Sequence, residues 1–208
     1  VNDKLTKIVI ITEKVAVHDA REIRAMAQAN GIDIIGGNCL GVADSWNRVR
    51  IGGALGGDHP AESLLKGSVS IFSNSGGFTT TIAQYLATEG WGTTTLISSG
   101  KDVYIHYSAR DFAHALKGDN RTKAAVLYVE PGGYYERDID FGKPVVACVV
   151  GRWKSKRTRA VGHAGAMAGS GDKAEDKENW FIEAFGVDGL YTPENPIVSE
   201  KGGVVTNI

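Results

Sequence analysis

Val69-Ser70-Ile71-Phe72-Ser73-Asn74-Ser75-Gly76-Gly77-Phe78 passes from an apolar, β-branched run through a turn of small residues into a helical pattern. Phe78, Ile82, Tyr85 and Leu86 then recur at three- and four-residue spacing and mark one helix face. A strand that ends in serines and glycines and opens a helix is the repeating unit of open α/β sheets, and its turn lies where such sheets bind ligands. The pattern recurs downstream. Strands are expected at 69–72, 94–97, 124–129 and 144–150, and helices near 77–88, 108–117 and 173–185. Continuous apolar strands separated by helices predict a parallel sheet covered on both faces. The link from Glu130 to Pro144 is too short for a long crossover helix, which leaves the strand order there open.

Upstream, Ile8-Val9-Ile10-Ile11, a helical stretch from Val17 to Asn30 and Ile32-Asp33-Ile34-Ile35 read as a βαβ unit. Ala20, Ile23, Met26 and Ala27 give that helix an apolar face, and Asn30-Gly31 ends it. A glycine-rich stretch from Gly52 to Gly67 follows, so the chain is divided into residues 1–66 and 67–208. Two strands and a helix cannot bury both faces of an open sheet, so the first unit reads as incomplete: either the chain starts inside a domain or the missing strands lie in another segment.

The 208 residues are 42% hydrophobic, enough for one full core and part of a second. Lys plus Arg number 23 against 24 Asp plus Glu, a balance that provides no global field for nucleic acid or anionic lipid. Cys39 and Cys148 lie on or beside apolar segments and read as small core residues of a protein in a reducing cytoplasm. No apolar run approaches the roughly 20 residues that a membrane span needs. A soluble cytoplasmic protein is therefore expected.

Three segments can carry chemistry. The hydroxyls of Ser73 and Ser75, with the free amides of a helix that begins at Gly76-Gly77, suit a phosphate or carboxylate; the same residues suit a plain serine N-cap. In Gly162-His163-Ala164-Gly165-Ala166, small neighbours leave the imidazole open to a bulky electrophile, and a basic loop of Arg152, Lys154, Lys156, Arg157 and Arg159 precedes it. That loop fits either a solvated face or a holder of anionic reactants. Glu130, at the end of the 124–129 strand, can hold one imidazole nitrogen and decide which is nucleophilic, or simply face solvent. No metal-ligand set is assigned.

Together these segments resemble the succinyl-CoA synthetase α-subunit superfamily, the NDP-forming acid–CoA ligases that include ATP-citrate lyase and ADP-forming acetate–CoA ligase. Gly162-His163-Ala164-Gly165-Ala166 is similar to its phosphohistidine motif, Ser73-Asn74-Ser75-Gly76-Gly77 to its phosphate loop and Glu130-Pro131-Gly132-Gly133 to its glutamate–glycine motif. Ile11-Thr12-Glu13 and Gly37-Asn38-Cys39-Leu40-Gly41 resemble segments of its CoA-binding domain. Asn74 stands where the family carries arginine, Gly37 stands where it carries proline, and Ser98-Ser99-Gly100-Lys101-Asp102 is closer to the acetate-ligase loop than to the succinate version.

The resemblance implies a flavodoxin-like three-layer parallel sheet preceded by the C-terminal part of a Rossmann-like CoA-binding domain. It implies that His163, oriented by Glu130, is phosphorylated from ATP or GTP with Mg on an ATP-grasp partner domain or subunit. The phosphoryl group then passes to a small carboxylic acid, and CoA displaces phosphate from the acyl phosphate. Ser73, Ser75, Gly76, Gly77, Gly162, Ala164 and Gly165 are expected around the phosphoryl group, and Thr12, Glu13 and Asn38 around CoA, in an oligomeric assembly. Two other readings stay open: a non-catalytic CoA- or anion-binding module of the same fold, and a serine hydrolase using Ser75, His163 and Asp102, which lacks the Gly-x-Ser-x-Gly elbow.

Overall fold

The computed structural model describes residues 4–53, 59–159, 162–163 and 165–207. The first unit is β1 (Lys7–Ile10), α1 (Val17–Ala29) and β2 (Asp33–Gly36), with β1 and β2 parallel and Lys7 opposite Asp33. Ala20 and Ala27 are buried on α1, and Ala27 packs with Ile32 and Ile34 against Ile8, Ile10 and Ile23. Met26, expected on that apolar face, is 56% exposed. A two-stranded sheet is too narrow to cover the full width of the helix stripe.

The second sheet has seven strands: β3 (Gly41–Asp44), β4 (Val49–Gly52), β5 (Lys66–Ser73), β6 (Thr93–Ser98), β7 (Ala124–Val129), β8 (Val145–Val149) and β9 (Gly202–Val205). Their order is β4-β3-β6-β5-β7-β8-β9. β6, β5, β7, β8 and β9 run parallel, as the apolar strands predicted, while the β3–β4 hairpin adds an antiparallel edge through β6. That hairpin precedes residue 67 in the chain yet is hydrogen-bonded into this sheet; a single helical turn, α2 (Pro60–Ser63), lies between β4 and β5.

Successive side chains of a strand point to opposite faces, and each face here has its own core. Phe72, Leu127 and Val129 face α4 (Ala109–Gly118) and α5 (Ala174–Phe185), meeting Phe112, Leu116, Phe181 and Phe185. Ile71, Leu96 and Tyr128 face α3 (Gly76–Thr88), meeting Ile82 and Ala83. Each fully buried Leu or Phe contributes about 1.5–3 kcal/mol, so burial on both sides fixes the three layers. On α3 only part of the expected face is buried: Phe78 is 40% exposed but stacks on Tyr128 at 4.6 Å, and Tyr85 faces outward.

Helix ends follow local chemistry. The Ser108 amide donates to Asp111 Oδ2 at 2.8 Å to open α4, and Gly186 in the left-handed region closes α5. The link after Glu130 contains no helix, yet β7 and β8 are adjacent and parallel. Its Ile139 and Phe141 supply the cover instead, buried in the core beneath α5. Cys39 and Cys148 are buried free thiols. No helix among the described residues is long and apolar enough to cross a membrane.

Candidate functional site

The loops that follow β5, β6, β7 and β8 gather at the C-terminal ends of the parallel strands, the ligand-binding end of an open α/β sheet. Asn74 fastens three of them. It is fully buried; its Oδ1 accepts the Glu130 amide at 3.1 Å, and its Nδ2 donates to Ser99 Oγ at 3.1 Å and Gly100 O at 3.4 Å. A flat amide with both a donor and an acceptor suits this position between backbone groups.

Ser73 and Ser75 divide their roles. Ser73 Oγ donates to Ser75 O at 2.7 Å and accepts the Ser75 amide at 3.0 Å, so its hydroxyl is committed to shaping the turn. Ser75 is the N-cap of α3, accepting from the Phe78 amide at a long 3.4 Å. The helix itself offers no partner to the amides of Gly76 and Gly77. Gly76 is required by a close approach, since a Cβ there would lie 2.2 Å from Leu40 Cγ, whereas a Cβ on Gly77 would meet nothing within 4 Å among the described residues.

Glu130 leaves the end of β7 and meets His163, with Oε2 2.6 Å from Nδ1. Burial pushes the Glu130 carboxyl upward, but the hydrogen bond and charge of His163, followed by Lys154 and Lys101, outweigh it and hold the group below the usual carboxylate range. An ionised carboxylate only accepts, so Nδ1 carries a proton, and in the neutral form of the ring it is Nε2 that keeps the lone pair. The His163 side chain is 27% exposed.

The histidine loop is seated by its glycines. Gly165 N donates to Lys101 O at 3.2 Å, and a Cβ on Gly165 would lie 2.0 Å from Asp102 O. A Cβ on Gly132, at φ +91°, would lie 2.4 Å from Gly165 O. Gly162 is at φ +78°, and a Cβ on it would meet nothing within 4 Å among the described residues. Ala164 lies outside the described residues.

Below this loop, Lys101 and Lys177 both donate to Gly132 O, at 2.6 and 3.0 Å, and Lys177 pairs with Glu136 at 2.6 Å. Both lysines are fully buried. Burial and then the nearby Lys177 charge push Lys101 down to about 7. In the basic loop, Arg152 forms a two-pronged pair with Glu178 at 2.8 and 2.5 Å, and Lys154 turns inward to Glu130. Sequence reading missed these inward lysines because an isolated Lys carries no periodic signal; only burial distinguishes it from a surface charge.

Of the first-unit residues, Thr12 and Asn38 meet: the Asn38 amide donates to Thr12 O at 2.9 Å. Glu13 is exposed nearby in sequence. Asn38 adopts φ +54°, and its Nδ2 is buried without a hydrogen-bond partner among the described residues. That orphaned donor fits a bound group rich in acceptors, as CoA is. The segment rests on the β6 loop, where a Cβ on Gly100 would lie 2.1 Å from Gly37 O. Asp102 accepts the Lys14 amide on Oδ2 at 2.6 Å and the Val103 amide on Oδ1 at 2.8 Å. Its oxygens are thus engaged by backbone, and Glu130 holds the Nδ1 that a Ser75-His163-Asp102 triad would require, so that triad is not assembled. Among the described residues no group of three or more His, Cys, Asp or Glu could hold a metal ion.

Residues 66–176 match the model of the succinyl-CoA ligase like flavodoxin domain. Among curated proteins, an ADP-forming sulfoacetate-CoA ligase subunit from Acholeplasma is 29% identical over 88% of this chain and 62% of its own length. The α subunit of ADP-forming succinate–CoA ligase from Staphylococcus aureus is 30% identical over 91% of this chain and 62% of its own. The chain thus spans about three fifths of these relatives. Among solved structures, ATP citrate lyase from Methanosaeta concilii, in complex with (3S)-citryl-CoA, superposes with a TM-score of 0.77 at 23% identity, covering 86% of this chain and 31% of that one. Acetyl-coenzyme A synthetase 1 from Ca. Korarchaeum cryptofilum, with phosphate and ADP, gives 0.63 at 22% identity, over 86% and 39%. At such identities the two structures speak to the fold alone.

Proposed function

We propose, from the premise that this chain belongs to the succinyl-CoA ligase like flavodoxin domain family, that it is the histidine-phosphorylated component of an NDP-forming acid–CoA ligase. The observation that carries this reading is the 2.6 Å contact between Glu130 Oε2 and His163 Nδ1. It leaves Nε2 as the nucleophile on a half-buried ring, at the end of the sheet where the α3 N-terminus lies. The curated relatives, named as CoA ligase subunits, support the same reading.

In the proposed reaction Nε2 attacks the γ-phosphorus of a nucleoside triphosphate. The N–P bond forms, the bond to the bridging oxygen breaks, and a nucleoside diphosphate leaves. The Nδ1 proton stays in place toward Glu130, which stabilises the positive ring that phosphorylation creates. A carboxylate oxygen of the acid substrate then attacks phosphorus, regenerating neutral His163 and making the acyl carbon electrophilic. The Gly76 and Gly77 amides and the Ser75 hydroxyl are assigned to the phosphoryl oxygens in transit, and the open backbone at Gly162 leaves that group room.

Thr12, Glu13 and Asn38 would hold CoA, which supplies the thiol that accepts the acyl group. The nucleotide and its Mg are assigned to an ATP-grasp partner, domain or subunit, that reaches His163. The test is a pulse of γ-labelled nucleoside triphosphate with that partner, followed by a chase. Label that enters the chain, is discharged by the carboxylic acid and is released as phosphate once CoA is added supports the ligase. Label that never enters contradicts it.

A further inference from the structure

Resting on the reading of His163 as phosphoryl acceptor, we propose that Lys154 is a positioning residue that shares the Glu130 carboxylate with His163 and sets how firmly that carboxylate draws on the Nδ1 proton. Lys154 sits in the short 3-10 helix Arg152–Lys156, directly after β8. Its neighbours Trp153, Lys156 and Arg157 are exposed, whereas only 9% of the Lys154 side chain is. An ammonium is buried at a cost unless it is paired. The pairing is with Glu130: Nζ lies 3.4 Å from Oε1, while His163 Nδ1 lies 2.6 Å from Oε2.

The turn that starts this helix explains the inward course. Gly151 is left-handed at φ +88°, and a Cβ on it would lie 2.9 Å from Pro131 Cδ and 3.4 Å from Lys154 Cδ. The stem of Lys154 is therefore laid along the turn that begins with Glu130 and Pro131. One donor on each oxygen fixes the rotation of the carboxylate as well as its charge. Arg152, the other partly committed cation of the loop, is engaged with Glu178 and cannot substitute.

A cation on Oε1 makes Glu130 a weaker base. The carboxylate then accepts the Nδ1 hydrogen bond without taking the proton, and Nε2 remains both a nucleophile and, once phosphorylated, a ready leaving group. On phosphorylation the Pγ–O bond breaks and Nε2–P forms; on discharge Nε2–P breaks and a carboxylate O–P bond forms; the Nδ1 proton moves in neither step. The charged and titratable groups facing Glu130 are His163 from its loop, Lys154 from the 3-10 helix, Lys101 from the β6 loop and Tyr128 from its own strand. The low position of the Glu130 carboxyl has His163, Lys154 and Lys101 as its opposing causes against burial.

The experiment compares wild type, Lys154→Met, Lys154→Gln and Lys154→Arg in complex with the ATP-grasp partner. Two quantities are followed: the carbon-13 titration of the labelled Glu130 carboxyl, and the pH profile of phosphohistidine formation. Loss of a cation at this range should move the Glu130 titration upward by about one pH unit, and the acid limb of phosphorylation should rise with it. Arginine should restore both; glutamine, which keeps a donor but no charge, should behave like methionine and covers the case in which the methionine variant does not fold. A Glu130 titration that stays in place in the uncharged variants overturns the proposal. So does a uniform loss of rate with an unmoved acid limb, the mark of a packing role. If the titration moves but no form of the protein is ever phosphorylated, the pairing stands and the assigned reaction, with the role of Lys154 in it, falls.

Discussion

Asn74 Oδ1 accepts the backbone N–H of Glu130 at 3.1 Å, which ties the turn after β5 to the carboxylate that holds His163. With Nδ2 on Ser99 and Gly100, this one amide keeps three strand ends in register. Asn74→Leu leaves the buried Glu130 amide without a partner, at a cost of about 1–3 kcal/mol, while Ser99 Oγ keeps its bonds to Ser73 O and Gly100 O. Urea unfolding should show a loss in that range, and histidine phosphorylation should fall with it. Asn74→Asp, which keeps the acceptor for Glu130 N–H, should recover less than half of the stability because it buries a carboxylate whose second oxygen faces the Gly100 carbonyl.

Gly165→Ala would place a Cβ 2.0 Å from Asp102 O, a backbone atom that cannot swing aside. The histidine loop must lift, costing about 1–3 kcal/mol by overpacking and lengthening the Glu130–His163 contact. Gly118→Ala, where a Cβ meets nothing within 4 Å, should instead be neutral or stabilising by up to about 1 kcal/mol. Thermal melts of the two variants check the contrast.

Lys101 titrates near 7 in the folded protein, below the ordinary lysine value, because burial and Lys177 disfavour its charge. Between pH 7 and about 10.4 the unfolded chain binds more protons at this residue, so its contribution to stability rises with pH at up to about 1.4 kcal/mol per unit. Below pH 7 both states are protonated and the penalty is constant. The difference in unfolding free energy between wild type and Lys101→Met should therefore move in favour of wild type across that window. A difference independent of pH would show that Lys101 remains charged.

Ser75→Ala removes a cap whose hydrogen bond is long, 3.4 Å. The expected loss is at or below about 1 kcal/mol, with phosphoryl transfer affected more than stability. A variant that melts early yet keeps full turnover would reduce Ser75 to a cap.

The layers and the centre of the site were legible because their signals are local. Unbroken apolar runs marked β5 to β8, and glycines around a serine turn or a histidine marked places where backbones approach closely, as Gly76 does with Leu40 and Gly165 with Asp102. The β3–β4 hairpin and β9 were not found, since four-residue strands with Gly, Arg and Asp carry little periodicity and are held by β6 and β8 rather than by their own pattern. The roles of Asn74, Lys101, Lys154 and Lys177 were invisible for the same reason. Each depends on partners 24 to 56 residues away, which no local pattern reveals.

Phosphorylation of His163 is tested by a peptide map of the chain after incubation with γ-labelled nucleotide and its ATP-grasp partner. An acid-labile, base-stable phosphoryl group is expected on the peptide that carries His163, and none in His163→Asn, whose fold should be intact because a half-buried loop ring outside both cores contributes little packing. Phosphorylation at Ser75, or label that persists in His163→Asn, would contradict it.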